Sequence, residues 1–194
     1  MSARQKTGIF ARYITGLPER EERLRIYTDL DTPLGPILLV SDGSALTGLY
    51  FIGQKYYPEP AANWKHDPAL RLFREVEAGI AAYLSRQLQT FDVPVRLEGT
   101  HFQTRVWQAI AAIPFGKTQS YTALAESIGA PSSVRAVGGA TGRNPISLIV
   151  PCHRVIGRDG ALTGYAGGLD RKRALLKFEL GRNSSRLRPL ATAL

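Results

Sequence analysis

Cysteine is nearly absent: the 194 residues contain one, Cys152. A single thiol cannot build an internal disulfide framework, and one Cys with three His gives no paired-cysteine zinc pattern. A reducing, intracellular compartment is the expectation, and the cytoplasm the simplest one. Long apolar runs are also missing. No stretch approaches the roughly 18 uncharged apolar residues that a membrane span needs. Residues 1–25 mix Arg4, Lys6 and Arg12 with polar side chains and lack an apolar core, so no secretory signal is expected. No internal repeat or low-complexity segment is present.

Acidic residues are scarce, 16 against 25 Lys and Arg, and the deficit is uneven. Residues 1–25 carry a net +3, residues 26–98 a net −3, residues 99–180 a net +6 and the last fourteen +3. The excess therefore sits in the back half and the two arms. A basic half suits a polyanion such as nucleic acid, or a solubility surface.

Residues 1–23 show no clear period and form an unassigned basic arm. From Leu24 the chain reads as strands. Ile37–Val40 and Leu49–Ile52 flank Ser41-Asp42-Gly43-Ser44, and Asp-Gly is a strong hairpin signal. Residues 53–66 read as loop. A helix is expected to open with Asp67 as N-cap and Pro68 at its first position, with Leu70, Phe73, Val76, Ile80, Leu84 and Leu88 on one face. Phe91 to Glu98 reads as an extended connector, and the domain boundary is placed there: an α/β domain over 24–98, a second domain over 99–181, and a basic tail over 182–194.

The back half is mainly helical. Phe102, Val106, Ile110 and Ile113 recur at helical spacing, Tyr121 to Ile128 is a second helix closed by Gly129, and a third runs from about Ser132 to Thr141. Two short helices about a Gly-containing turn make a helix-turn-helix pattern, which an ordinary helical hairpin would share. The third helix carries Ala136, Gly138, Gly139 and Ala140, and each interior Gly costs roughly 1 kcal/mol relative to Ala. Close packing of another protein element would offset that cost, and so would the close approach of a nucleic-acid backbone. Arg135 stands among these small neighbours.

Ile146–Val150 fits a short buried strand that Pro151 stops, delivering Cys152-His153-Arg154 just past its end. A lone cysteine is commonly a small buried hydrophobe. Adjacent positive charge or a base favours its thiolate. Gly164-Tyr165-Ala166-Gly167-Gly168 reads as a flexible loop. A last helix runs from about Leu169 to Leu180, stopped by Gly181. Glu179 sits in its final turn, where the helix dipole disfavours a carboxylate. A nucleophilic cysteine needs a base, and the base an orienting carboxylate, a role open to Glu179.

Taken together, Arg135-Ala136-Val137-Gly138-Gly139-Ala140, Asn144-Pro145, Ile149-Val150-Pro151-Cys152-His153-Arg154-Val155-Ile156, Gly164–Gly168 and Leu175–Glu179 closely resemble the O6-alkylguanine-DNA alkyltransferases, also called methylated-DNA–protein-cysteine methyltransferases. The resemblance covers about eighty residues, Phe102 to Glu179, and the Pro-Cys-His-Arg block carries most of its specificity. It implies an RNase-H-like α/β N-terminal domain and a mainly α C-terminal domain with a helix-turn-helix and a short active-site strand.

The resemblance also implies roles. Cys152 would accept the alkyl group from O6-alkylguanine, and from O4-alkylthymine, in a single turnover. His153 would take its proton through a water, oriented by Glu179, and Asn144 would hold the turn before the active-site strand. Tyr121 would help rotate the target nucleotide and serve the departing guanine, with Ser120 beside it on the DNA. Arg135 would fill the gap left by the extruded base, while Ala136, Gly138 and Gly139 let the helix enter the minor groove. Val155, Tyr165, Ala166 and Gly167 would line the guanine pocket. Ala166 stands where some relatives carry a hydroxyl residue. No cofactor and no metal are implied. The partner would be double-stranded DNA carrying an alkylated guanine, bound by a monomer whose cooperative assembly along DNA the sequence leaves open. Two other readings fit part of the pattern: a non-catalytic helix-turn-helix DNA binder, and a Cys–His hydrolase using Cys152, His153 and Glu179.

Overall fold

In the computed structural model, residues 12–13 and 24–181 are described; both basic arms otherwise lie outside them. Strands β2 (Ile26–Leu30), β3 (Ile37–Ser41) and β4 (Leu46–Phe51) form an antiparallel meander. The β3–β4 turn is the expected Asp-Gly hairpin. Gly43 takes φ 92°, and Asp42 Oδ1 accepts from the backbone N of Ser44 at 2.9 Å and Ala45 at 2.8 Å. β3 is buried on both faces, so it reads as an unbroken apolar run.

Three short parallel pieces extend the meander. β1 (Arg12–Tyr13), β5 (Lys65–His66) and β6 (Pro94–Val95) complete a six-stranded sheet in the order β1-β6-β4-β3-β2-β5. The unassigned arm and the two segments read as loop and connector thus each contribute two residues to the sheet. Strands this short carry no usable alternation.

Helix α1 (Arg71–Leu84) buries Leu72, Phe73, Val76, Ile80 and Tyr83. It begins later than Asp67 and Pro68 suggest, with Leu70 in the N-cap position. Asp67 instead closes a separate turn. Its carboxylate accepts from Ala69 N at 3.2 Å and pairs with Lys65 Nζ at 3.1 Å, which draws it away from the helix end.

The back half holds α2 (His101–Ala111), β7 (Gln119–Ser120), α3 (Tyr121–Ser127), α4 (Val134–Gly142), β8 (Val155–Ile156) and α5 (Leu169–Leu180). Thr100 caps α2 in a reciprocal pair with Gln103: Thr100 Oγ1 accepts from Gln103 N, and Gln103 Oε1 accepts from Thr100 N. Thr100→Ala is expected to cost about 1 kcal/mol and roughly 2–4 °C of melting temperature. Thermal unfolding of the two proteins measures it directly.

The helix-turn-helix is α3 and α4, joined through Gly129 at φ 67° and a 3-10 turn over Pro131–Ser133. Trp107 Nε1 donates to Ala140 O at 2.8 Å and ties α4 to α2. One hydrophobic core runs through both halves, from Leu39, Leu49 and Phe51 of the sheet to Val106, Ile110 and Val150.

The expected strand over Ile146–Val150 is reduced to one bridge, Ile146 with Leu49. Leu49 N donates to Pro145 O at 2.8 Å and Ser147 N to Leu49 O at 3.0 Å. Leu148 then turns at φ 69°, which no strand accommodates. Apolar composition made the segment look like a strand; it is buried because it folds as a tight turn against β4. A short strand does adjoin the cysteine, but after it, as β8.

Candidate active site

Cys152, His153 and Arg154 form a 3-10 turn that is buried throughout. The turn before it is held by Asn144, whose Oδ1 accepts from Ile146 N at 3.0 Å while its Nδ2 donates to Val150 O at 2.8 Å. The same Nδ2 donates to Cys152 Sγ at 3.1 Å. One amide thus shapes the turn and points at the sulfur.

Glu179 is the hub behind the cysteine. Its Oε1 lies 2.7 Å from His153 Nε2, and neither side chain is solvent-accessible. Arg154 Nε donates to Oε2 at 2.9 Å, Tyr83 OH to Oε1 at 2.6 Å and Gly116 N to Oε2 at 3.1 Å. These four donors answer the unfavourable position at a helix C-terminus. Burial alone would raise the Glu179 pKa, but His153 and Arg154 bring it down to about 2.

His153 has a pKa pulled below its ordinary value by burial, which the bond to Glu179 only partly opposes. It is therefore neutral near pH 7. With Nε2–H donating to the Glu179 carboxylate, the lone pair lies on Nδ1, which is buried and has no hydrogen-bond partner among the described residues. The Cys152 thiol is pushed up by burial, against the Asn144 bond and the charge of Lys172. A resting thiol beside a neutral imidazole with a free lone pair can lose its proton when a reaction demands it.

Lys172 was not legible as a site residue. It is fully buried on α5, and its Nζ donates to Val155 O at 2.6 Å, Thr163 O at 2.8 Å and Gly164 O at 3.3 Å. Burial lowers its pKa to about 8, opposed by the Cys152 charge. At neutral pH it is a cation within electrostatic reach of the thiol. The signal was the spacing Lys172, Leu175, Leu176, Glu179, which places both charged residues on the buried face of α5. Tyr83 and Gly116 carried no such mark.

A cleft of about 330 Å³ adjoins this centre, lined by Lys55, Tyr56, Tyr121, Gly138, Gly139, Gly142, Gly164, Tyr165 and Ala166. Tyr121 and Tyr165 are both within electrostatic reach of Cys152. Tyr121 is the first residue of α3, behind its N-cap Ser120, and its hydroxyl donates to Thr163 O at 3.2 Å. Arg135 and Ala136 are exposed on the first turn of α4. Val155 and Gly167 do not line the cleft. Val155 is buried where β8 pairs with β7, and Gly167 packs against Phe51 and Tyr165.

The glycines of α4 are not required by packing within the protein. A Cβ at Gly142 would meet nothing within 4 Å, and one at Gly138 or Gly139 would make ordinary contacts with Tyr121 at 3.9 Å or Arg143 at 3.5 Å. Val137, Ala140 and Thr141 do the packing instead. The bare face is turned to the cleft.

A buried cysteine with a His–Glu pair behind it and a helix-turn-helix beside it defines a cysteine-dependent group-transfer or hydrolytic centre next to a nucleic-acid-binding motif. Residues 101–181 match the 6-O-methylguanine DNA methyltransferase DNA-binding domain, and residues 26–97 the ribonuclease-like domain of the same family. The methylated-DNA–protein-cysteine methyltransferase of Mycobacterium tuberculosis is 49% identical over 156 residues, covering 80% of this chain and 93% of its own. That of Methanosarcina barkeri is 48% identical over 79% of this chain and 96% of its own. The crystal structure of Mycobacterium tuberculosis OGT in complex with DNA aligns at a TM-score of 0.75 and 48% identity, covering 84% of this chain and 94% of that one. The chain belongs to the 6-O-methylguanine DNA methyltransferase family. Its activity is DNA repair by transfer of an alkyl group to a protein cysteine. No described helix is long and apolar enough to cross a membrane.

Proposed function

We propose that Cys152 is the alkyl acceptor, with residues 99–181 as the DNA-binding and reacting half and residues 24–98 as its scaffold. The observation that carries this is the bond from Asn144 Nδ2 to the chain's one thiol, beside a neutral His153 paired with Glu179 and next to a cleft walled by a glycine-bearing helix.

An O6-alkyl group inside a duplex is out of reach of a buried sulfur, so the nucleotide is extruded into the cleft, at a cost of about a few kcal/mol. The bare face of α4 enters the minor groove with Ala136, Gly138 and Gly139, and Arg135 takes the place of the extruded base in the stack. Ser120 and Tyr121, at the start of α3, adjoin the phosphate of that nucleotide. Tyr165 and Ala166 flank the guanine, with Val155 and Gly167 as the support behind them.

His153 Nδ1 takes the Cys152 proton through a bridging water. Sγ attacks the alkyl carbon, the carbon–O6 bond breaks, and its electron pair leaves with the guanine. Tyr121, whose pKa burial raises, remains a phenol and serves as hydrogen-bond donor to that leaving group. The proton that left Cys152 passes from His153 through solvent to the departing guanine anion, so His153 returns to neutral, the guanine carries its proton and Cys152 is left as a thioether. There is no second cysteine in the chain to take the group off again, so each molecule reacts once. O4-alkylthymine presents the same alkyl–oxygen bond and is the second substrate. The acting species is a monomer on double-stranded DNA, and the reducing cytoplasm keeps the thiol free.

Intact-protein mass spectrometry after incubation with duplex DNA holding one O6-methylguanine tests this reading. A gain of one methylene, mapped to Cys152 and saturating at one per protein, is expected. An unmodified Cys152 under conditions where the protein binds the duplex overturns it and favours a binding module.

A further inference from the structure

Two of the residues lining the cleft come from the sheet half rather than from the helix-turn-helix. Lys55 and Tyr56 lie in the turn that follows β4. Tyr56 takes φ 62°, a left-handed conformation that a non-glycine residue seldom adopts. The surroundings hold it there. Gln54 Oε1 accepts from Phe51 N at 2.9 Å, Tyr57 N donates to Gln54 O at 3.2 Å, and Lys55 N donates to Ala166 O at 3.2 Å. The last bond ties the turn to the loop beside Cys152.

That strained turn presents an aromatic ring to solvent, with Tyr56 47% exposed. Two cations flank it: Lys55 Nζ lies 5.0 Å and the Arg143 guanidinium 4.9 Å from the ring centroid. Both are exposed, and neither pairs with a carboxylate among the described residues. Arg143 follows α4 directly, so the cluster joins the end of the helix-turn-helix to the sheet half. A ring set between exposed cations at the mouth of a cleft is the pattern that binds unpaired nucleotides, by stacking and phosphate neutralisation together.

We infer that Lys55, Tyr56 and Arg143 form a second DNA-contacting element, which grips the strand around the extruded nucleotide. Lys55 and Arg143 each neutralise one backbone phosphate, and Tyr56 stacks on the nucleotide that has left the duplex. The sheet half, net acidic by composition, thereby takes part in substrate binding through one turn. The inference rests on the alkyl-transfer reading above.

The test measures the affinity of a short duplex carrying one O6-methylguanine as a function of salt, on a Cys152→Ala background that prevents reaction. Lys55→Gln with Arg143→Gln is expected to reduce the slope of log Kd against log salt by about 2. Lys55→Arg should keep the wild-type slope. Tyr56→Ala should weaken binding roughly tenfold with the slope unchanged. Unchanged slopes in the double variant, or weaker binding that only tracks a lowered melting temperature, overturn the inference. The wild-type mass-spectrometric adduct reports separately on the alkyl-transfer reading: a normal adduct with unchanged slopes removes this element alone, whereas no adduct removes the reading beneath it.

Discussion

Glu179→Ala is expected to cost the fold about 3–5 kcal/mol and to slow alkyl transfer by at least a hundredfold. The stability loss follows from what is left behind. Arg154 would remain buried without its carboxylate, and the Tyr83 hydroxyl, Gly116 N and His153 Nε2 would each lose their acceptor. The rate loss follows from His153, whose lone pair stays on Nδ1 only while Glu179 holds the Nε2 proton. Glu179→Gln keeps the shape and part of the hydrogen bonding, and should fall between the two proteins in both respects. Urea unfolding and single-turnover transfer on the same preparations measure the pair of effects.

The pH dependence has a definite sign. The Glu179 carboxyl is lowered in the fold from an ordinary 4.5 to about 2. Its stabilisation is therefore present in full above about pH 4.5 and is lost as pH falls through 2. The alanine variant should lack that acid-sensitive component. A variant within 1 kcal/mol of wild type at pH 7, with unaltered transfer, would show that Glu179 is not the hub its contacts suggest.

Lys172→Met carries the second large effect, a fall of about a hundredfold in transfer rate. In the proposed reaction Cys152 gives up its proton, and Lys172 is a buried cation within electrostatic reach of the new charge. Opposite charges a few ångström apart are worth about 2–4 kcal/mol at an effective dielectric near 20, and each 1.4 kcal/mol is about tenfold in rate. The ammonium also holds Val155, Thr163 and Gly164 together, so its loss loosens the loop under Tyr121. The wild-type rate should turn down as Lys172 neutralises above about pH 8, and the methionine variant should lack that limb. Wild-type stability moves the other way. The Lys172 pKa is lowered by burial, so the unfolded chain holds the proton more strongly and stability rises from about pH 8 towards 10.5. Transfer rates that match wild type across this range would remove Lys172 from the reacting centre.

The helices of the back half were readable because apolar spacing and glycine stops agree there. α3 and α5 fall within a residue of the expected bounds. The start of α1 was misread because Asp67 and Pro68 form a sound N-terminal signal that Lys65 and a local turn put to another use. Ile146–Val150 was misread because burial by a tight turn and burial by a strand leave the same apolar composition. At the site, Cys152, His153, Asn144 and Glu179 stood out through the resemblance, and the structure brings them together. Lys172 lay hidden between Arg171 and Arg173, since only its helical spacing to Leu175, Leu176 and Glu179 separates a buried ammonium from two partly solvated guanidiniums. Tyr83, Lys55 and Tyr56 belong to the other half of the chain. Their part in the site comes from tertiary contacts across about a hundred residues, which no local pattern records.

Those separations make the surroundings of the thiol depend on contacts from both halves of the chain. Asn144 is held in register by a turn that leans on Leu49, and the imidazole is set by a carboxylate in the final turn of α5. Without its last helix the chain lacks Lys172 and Glu179, and with them the ammonium and the carboxylate that set the surroundings of Cys152 and His153. The environment of the sulfur is thus a property of the complete fold and of no single segment of it.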